Sequence, residues 1–126
     1  MERTDGADKH RRLADHLVHE AWYDMAEEEY RKAIEMNPMD AEAHYNLGVL
    51  LYNQGRYEEA EKEFREAIRI KPDYAGAHLS LGLLLADLQR FPEARAELEN
   101  AIVLFERKGR KEEAENVRDL LRRLLG

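Results

Sequence analysis

Three histidines recur at equal spacing, and imidazole is among the commonest metal ligands in proteins. His10, His44 and His78 lie 34 residues apart. If that spacing marks equivalent positions on neighbouring helices, the three rings lie roughly 10 Å apart, whereas one ion holds its ligands at about 2 Å. We therefore interpret these histidines as semi-buried packing residues and expect neither a metal nor another cofactor.

Two further histidines, His16 and His19, are three residues apart on one helical face, and with Asp15 nearby they could bind a metal adventitiously. His19 and Glu20 begin a zinc-protease pattern, but the second histidine of that pattern is missing. A solvated helix face is the better interpretation of this group.

The chain has few side chains that could act as catalytic nucleophiles. There is no cysteine, Ser80 is the only serine and Thr4 is the only threonine. Paired carboxylates such as Glu58 and Glu59 fall on outward helix faces, where nothing shifts their pKa values toward catalysis. No glycine-rich phosphate loop is present. We expect that the protein is not an enzyme.

The amino-acid composition argues against some classes of binding partner. The 126 residues carry a formal net charge of −7, which argues against a nucleic-acid partner because phosphate binding needs clustered Lys and Arg. Acidic and basic residues are interleaved, as on solvated helix faces. The N-terminus has no apolar run, so we expect neither a signal peptide nor a membrane span, and the simplest location is the cytoplasm.

A repeating pattern positions all of these residues. Residues 41–74 contain two helical apolar stripes separated by Gly55, which favours the positive φ of a turn. The stripes are His44, Leu47, Gly48 and Leu51, then Tyr57, Ala60, Phe64, Ala67 and Ile68, with Pro72 closing the unit. The pattern returns with the same spacing before and after this segment, which indicates a helical repeat protein.

Small and large residues keep the same phase in each unit. The small ones are Ala14/Gly48/Gly82, Ala26/Ala60/Ala94 and Ala33/Ala67/Ala101, and the large ones are Tyr23/Tyr57/Phe91 and Tyr30/Phe64/Leu98. This predicts helix hairpins that approach closely and bury their apolar faces by stacking. A last amphipathic helix, 110–125, carries Arg118 in the small-residue position, so we expect it to close the stack.

These motifs resemble the tetratricopeptide repeat (TPR) family in three consecutive units. The resemblance implies an all-α fold, a right-handed α-solenoid of three helix-turn-helix hairpins with a solvating C-terminal helix. The expected divisions are a short lead at 1–6, repeats at 7–40, 41–74 and 75–108, and the capping helix at 109–126. Asp5, in the lead, is the expected N-cap of the first helix.

The family resemblance also implies a function, because most members are non-enzymatic adaptors or scaffolds that hold a peptide or helix in a concave groove. The groove positions are Arg11, Arg12, Asp15 and His19 in the first repeat, Tyr45, Asn46, Val49, Tyr52 and Asn53 in the second, and Leu79, Ser80, Leu83 and Asp87 in the third. Arg11 and Arg12 are expected to engage an acidic group. The alternative is that Tyr45, Val49, Leu79 and Leu83 only pack against one another.

One subclass of the family binds acidic chaperone tails with a carboxylate clamp. Arg11 and Asn46 match its pattern. Asp15 stands where an asparagine is needed, and Gly76 and Ser80 replace two basic residues. Because Asp15 would repel a carboxylate, the sequence argues against this clamp.

A second hypothesis is a self-associating scaffold that forms homo-oligomers through the ends of the stack. Trp22, Leu120 and Leu125 are the candidate contact residues. The alternatives are that Trp22 covers the open N-terminal end and that Leu120 packs back onto the third repeat. A third class, RNA-binding helical repeats, is disfavoured by the acidic charge balance.

Overall fold

The computed structural model describes residues 2–126, with side chains from Gly6 onward. These residues form seven α-helices, which confirms the all-α fold class. The helices are α1 (Glu2–His19), α2 (Tyr23–Met36), α3 (Ala41–Asn53), α4 (Tyr57–Ile70), α5 (Ala75–Asp87), α6 (Phe91–Arg107) and α7 (Lys111–Leu125). They belong to two compact units, Met1–Ile70 and Lys71–Gly126. In the first unit α1 pairs with α2 and α3 with α4; in the second α5 pairs with α6, and α6 with α7.

The start of α3 is where the sequence predicted it, after Asp40, whereas α1 starts earlier than predicted. Asp40 caps α3, because its Oδ1 accepts a hydrogen bond from the Ala43 backbone N–H at 3.1 Å. The expected lead at 1–6 is helical from Glu2 onward, so Asp5 lies inside α1 instead of capping it. Met1, the remaining residue of that lead, lies outside the described residues.

Each helix hairpin turns through one residue of positive φ. Gly55 has φ 78°, and Gly109 occupies the α6–α7 turn with φ 74°. Ala21 and Gln89 take the corresponding position in the other two hairpins, with φ 64° and 61°. A side chain in this conformation costs about 1–2 kcal/mol, so the repeat geometry imposes the turn even where the sequence has no glycine.

The small residues lie where two helices meet. A Cβ added at Gly48 would lie 2.7 Å from Phe64 Cδ1, and one at Gly82 would lie 2.7 Å from Leu98 Cδ2. Both facing side chains are fully buried. The glycines therefore allow a large residue of the second helix to occupy the space against the first.

Several residues expected in the apolar stripes are exposed. Leu13 is 45% exposed, whereas its equivalents Leu47 and Leu81 are fully buried. The same position of the repeat therefore differs in exposure between the first helix of the chain and its two equivalents. Tyr23 and Phe91, expected as buried knobs, are each 46% exposed because they begin α2 and α6 at the hairpin edge.

The histidines join the two helices of each hairpin. His44 Nδ1 donates to Glu63 Oε1 at 2.7 Å and Nε2 donates to the Pro38 carbonyl at 2.9 Å. His78 repeats both bonds, to Glu97 at 2.7 Å and to Pro72 at 2.9 Å. His10 Nδ1 lies 2.5 Å from Glu29 Oε1. These rings are hairpin links, in agreement with the packing interpretation.

The closing helix α7 is joined to α6 by an ion pair between two residues that depart from the repeat pattern. Arg118, which replaces a small residue, donates to Glu106, which replaces the repeat-ending proline. Arg118 also donates to Glu115 at 3.1 Å. The buried Ala114 and Val117 pack α7 against the α6 cluster that contains Phe105. Arg118, which is half-buried, lies at the position that glycine occupies in the two preceding repeats.

Candidate functional site

A cleft of about 510 Å³ lies in the first unit, between α1, the start of α2 and α3. Its lining residues are mostly apolar or aromatic, with a few amides and one carboxylate. They are Asp15, Val18, Tyr23, Tyr30, Tyr45, Asn46, Val49, Leu50, Asn53 and Gln54. An apolar concavity with a few convergent polar groups is the usual form of a binding site.

The aromatic walls are held by neighbouring rings. Tyr45 packs against Phe64 of α4, with ring centroids 5.9 Å apart and an interplanar angle of 45°. Phe64 is fully buried, so it provides a rigid support behind Tyr45. Tyr45 itself is only partly buried and presents its other side to the cleft.

A polar cluster lies in the apolar cleft. The Asp15 Oδ1 atom accepts hydrogen bonds from the Tyr30 hydroxyl and from Asn46 Nδ2, the latter at 3.1 Å. Tyr30 is 2% exposed, and burial together with the Asp15 hydrogen bond raises the pKa of its phenol. The phenol therefore stays neutral and donating, and one carboxylate oxygen links α1, α2 and α3.

Arg11, one of the two basic residues expected in the groove, is paired with carboxylates of the protein itself. Arg11 lies near four carboxylates, Asp8 at 3.6 Å, Asp15 at 3.9 Å, Asp40 at 3.5 Å and Glu42 at 3.0 Å. Burial works against the charge of Arg11, but these carboxylates raise the pKa of its guanidinium above the ordinary value. Arg11 is thus engaged within the protein rather than presented to an acidic ligand.

The cleft brings together some of the predicted groove residues and leaves others outside. Tyr45, Asn46, Val49 and Asn53 line it, as does Asp15. Four other predicted residues of this unit are not among the lining residues: Arg11, Arg12, His19 and Tyr52. Tyr52 instead packs on the Tyr57 ring, with centroids 5.5 Å apart.

Sequence reasoning missed five lining residues, Val18, Tyr23, Tyr30, Leu50 and Gln54. Tyr30 could have been found from its position, because Phe64 and Leu98 are its equivalents in the other repeats. A hydroxyl at a buried aromatic position needs a hydrogen-bond partner. The partner, Asp15, likewise replaces the apolar Val49 and Leu83 of the later repeats.

The groove residues of the third repeat belong to the second unit. Leu79, Ser80 and Leu83 are each partly buried on α5. Leu79 packs against a core cluster that includes Ala75, Leu98 and Phe105. Leu79 therefore contributes to the core of its own unit.

The proposed self-association residues differ in exposure. Trp22 is 59% exposed, so most of its surface does not cover the end of the first unit. Leu120 and Leu125 are partly buried, and Leu125 packs against the α6–α7 core. Leu125 also lines a depression of about 570 Å³ in the second unit, together with Phe91, Pro92, Arg95 and Leu124.

Metal binding and membrane insertion find no support in the described residues. No group of three histidine, aspartate or glutamate side chains is arranged to hold a metal ion within that part of the chain. Over the same residues, no helix combines the length and the apolar character needed to cross a bilayer.

Solved structures with the same fold include domains from varied settings. The second TPR domain of Spaghetti (RPAP3), solved with the HSP90 peptide SRMEEVD, aligns with a TM-score of 0.78 and 24% identity, covering 82% of this chain and 95% of that one. The Arabidopsis OM64 TPR domain aligns at 0.80 and 21%, covering 93% and 98%. The Yersinia enterocolitica type III secretion translocator chaperone SycD aligns at 0.88 and 18%, covering 95% and 83%.

Sequence comparison leads to the same fold family. No curated protein sequence gives a significant match. Two tetratricopeptide repeat family models match, one over residues 11–75 and the other over residues 54–103. The first alone spans more than half of the chain, and the helix hairpins and their small-residue contacts agree with it. The chain therefore belongs to the tetratricopeptide repeat family.

Proposed function

We propose that this protein is a non-enzymatic protein-interaction module that binds a short peptide segment in the cleft between α1 and α3. The observation that carries the proposal is the cleft itself, about 510 Å³ with aromatic and aliphatic walls and one polar cluster. Its size falls in the range typical of ligand sites, roughly 300–1,000 Å³.

The composition of the cleft also supports a protein partner. Tyrosine side chains dominate its wall, with Tyr23, Tyr30 and Tyr45 contributing. Tyrosine is enriched in protein interfaces because it offers a large contact area and a polar tip at low entropic cost. The solved peptide complex of the Spaghetti domain is a precedent for peptide binding on this fold.

The experiment is an unbiased peptide selection on the folded protein. A displayed library of random peptides is selected on the immobilised chain, and an enriched peptide is titrated into isotope-labelled protein. We expect backbone amide shifts concentrated in α1 and α3, and loss of binding in Val49→Arg, which fills the cleft with a charged chain. Exposed Val103 on α6 provides the matched control, Val103→Arg.

Two outcomes would overturn the proposal. One is a selection that enriches no peptide above background. The other is an enriched peptide whose shifts lie outside α1 and α3 and whose affinity is the same for Val49→Arg and Val103→Arg. Circular dichroism of each variant shows whether its helices are intact.

The alternative is self-association, and the apolar depression at the end of the second unit is the observation that favours it. Phe91 is 46% exposed and Leu124 44% exposed, and both line that depression beside Leu125. In this case Leu124→Glu would convert an oligomer into a monomer in sedimentation equilibrium. A wild-type protein that stays monomeric at high concentration would remove the alternative.

A further inference from the structure

We propose that the α1–α3 cleft selects a peptide that carries a lysine or arginine beside a bulky apolar residue, and that Asp15 determines this specificity. This inference rests on the proposed function and deepens it by naming the chemistry of the partner. It also reverses the sequence expectation that Arg11 and Arg12 bind an acidic group.

Asp15 contributes the one charged side chain among the residues that line the cleft. Its Oδ1 atom is occupied by Tyr30 and Asn46. Its Oδ2 atom lies 3.9 Å from Arg11 Nη1, which is too long for a hydrogen bond. The Asp15 side chain as a whole is 41% exposed and lines the cleft, so a cationic group of a ligand can approach its carboxylate.

The surroundings of Asp15 increase the preference for a cation. Around Arg11, four carboxylates lie within 4 Å of one guanidinium, namely Asp8, Asp15, Asp40 and Glu42. The local formal charge is therefore negative despite the arginine. A ligand carboxylate would be repelled here, whereas a ligand ammonium or guanidinium would be attracted.

Folding of the repeat does not require this carboxylate. The positions of Asp15 and Tyr30 are occupied by Val49 and Phe64 in the second repeat, and by Leu83 and Leu98 in the third. Those repeats carry apolar residues at both positions. The polar pair is therefore particular to the first repeat, where it links three helices and also lines a cleft.

The apolar part of the ligand is defined by the remaining walls. Val18, Val49, Leu50 and Tyr45 line the same cleft as the carboxylate and suit a leucine, phenylalanine or tyrosine side chain next to the basic residue. The peptide in the Spaghetti complex, SRMEEVD, has three acidic residues among its last four. A partner for this cleft has the opposite charge.

The test compares three proteins in the same peptide selection. Wild type is expected to enrich peptides with Lys or Arg adjacent to a bulky apolar residue. Asp15→Asn keeps an oxygen that accepts from Tyr30 and Asn46 but removes the charge, and should lose the basic preference. Asp73→Asn removes the same charge from an exposed site outside the cleft and should behave as wild type.

Calorimetry with a synthetic peptide taken from the wild-type selection then measures how much the ligand's positive charge contributes to the binding affinity. Replacing its basic residue with norleucine should weaken binding to wild type by about tenfold, as expected for a partly desolvated charge pair, and should change binding to Asp15→Asn little. Added salt should weaken the Lys peptide more than the norleucine peptide.

The outcomes separate the two proposals. Enriched peptides that perturb α1 and α3 but lack basic residues would overturn this inference and leave the proposed function standing. An equal preference for the basic residue in wild type and Asp15→Asn would also overturn it. Selection of no peptide at all would overturn both.

Discussion

The Asp15 carboxylate on α1 accepts a hydrogen bond from the buried Tyr30 hydroxyl on α2. The same oxygen accepts from Asn46 on α3, so one atom joins both helices of the first hairpin to the second. In the next two repeats the positions of Asp15 and Tyr30 are both apolar. The first repeat therefore differs from the other two at both positions. The interaction energy between Asp15 and Tyr30 can be measured by substituting them singly and together.

Substitution of either member alone should destabilise the protein more than substitution of both. Asp15→Val leaves the buried Tyr30 hydroxyl without an acceptor, which costs about 1–3 kcal/mol in the free energy of unfolding. The double variant Asp15→Val with Tyr30→Phe reproduces the Val49–Phe64 pair of the second repeat and should return to within about 1 kcal/mol of wild type. Urea unfolding of the four proteins measures this, and strictly additive effects would contradict the coupling.

Gly82 is expected to tolerate no larger residue. A Cβ there would lie 2.7 Å from Leu98 Cδ2 and 2.8 Å from Leu98 Cγ, so the clash is mainly with the Leu98 side chain, which would have to move. Overpacking of a core costs about 1–3 kcal/mol, which outweighs the roughly 1 kcal/mol gained by replacing glycine with alanine in a helix. Thermal unfolding should show a lower Tm for Gly82→Ala.

The companion variant Gly82→Ala with Leu98→Ala supplies space for the new methyl group. Relative to Leu98→Ala alone, the added Gly82→Ala should then be neutral or stabilising. An equal loss in both backgrounds would show that the Leu98 side chain is not the source of the clash.

Glycine at the α5–α6 turn should stabilise the protein. Gln89 has φ 61°, and its equivalent Gly55 takes the same conformation without strain. Gln89→Gly removes about 1–2 kcal/mol of strain but gives the unfolded chain more freedom, so the net gain should be about 0.5–1 kcal/mol. Gly55→Ala is the reverse control and should lose a similar amount. A Tm unchanged in both variants would contradict this account of the turns.

The histidine links should make the protein more stable at mildly acidic pH than at basic pH. For His44, burial lowers the pKa, but the hydrogen bonds to Glu63 and the Pro38 carbonyl more than offset this and raise it. For His78, the Glu97 hydrogen bond is the largest cause of a raised pKa. Both ring nitrogens of each histidine contact acceptors, so the protonated ring satisfies every bond.

Because the folded-state pKa is raised, this stabilisation is fully present below the unfolded value, about 6.5, and is lost as pH rises through the folded value. Urea unfolding at a series of pH values should show stability falling as the pH rises above about 6.5. Replacing both rings, in His44→Gln with His78→Gln, should flatten that part of the profile. His16, which is exposed and forms no hydrogen bond or ion pair with a second helix among residues 6–126, provides the control His16→Gln. A profile unchanged by the double replacement would contradict the assignment.

The sequence by itself determined the helices, the hairpin turns and the family. These follow from short-range geometry, because residues three or four apart share a helix face and a small residue at a fixed phase implies a close helix contact. The repetition strengthened each inference, since Gly48 and Gly82 occupy the same position opposite Phe64 and Leu98. Even the closing role of Arg118 could be inferred from its phase.

Only the tertiary structure decided what the cleft offers a ligand. Arg11 was expected to face an acidic group, but residues up to 31 positions away along the chain pair with it. Tyr30 lies on α2, which a groove built from first helices alone leaves out. The spacing of Leu13 likewise gave no sign that it is 45% exposed while Leu47 and Leu81 are fully buried. Charge and burial are set by what surrounds a side chain in space, and spacing along one helix does not contain that information.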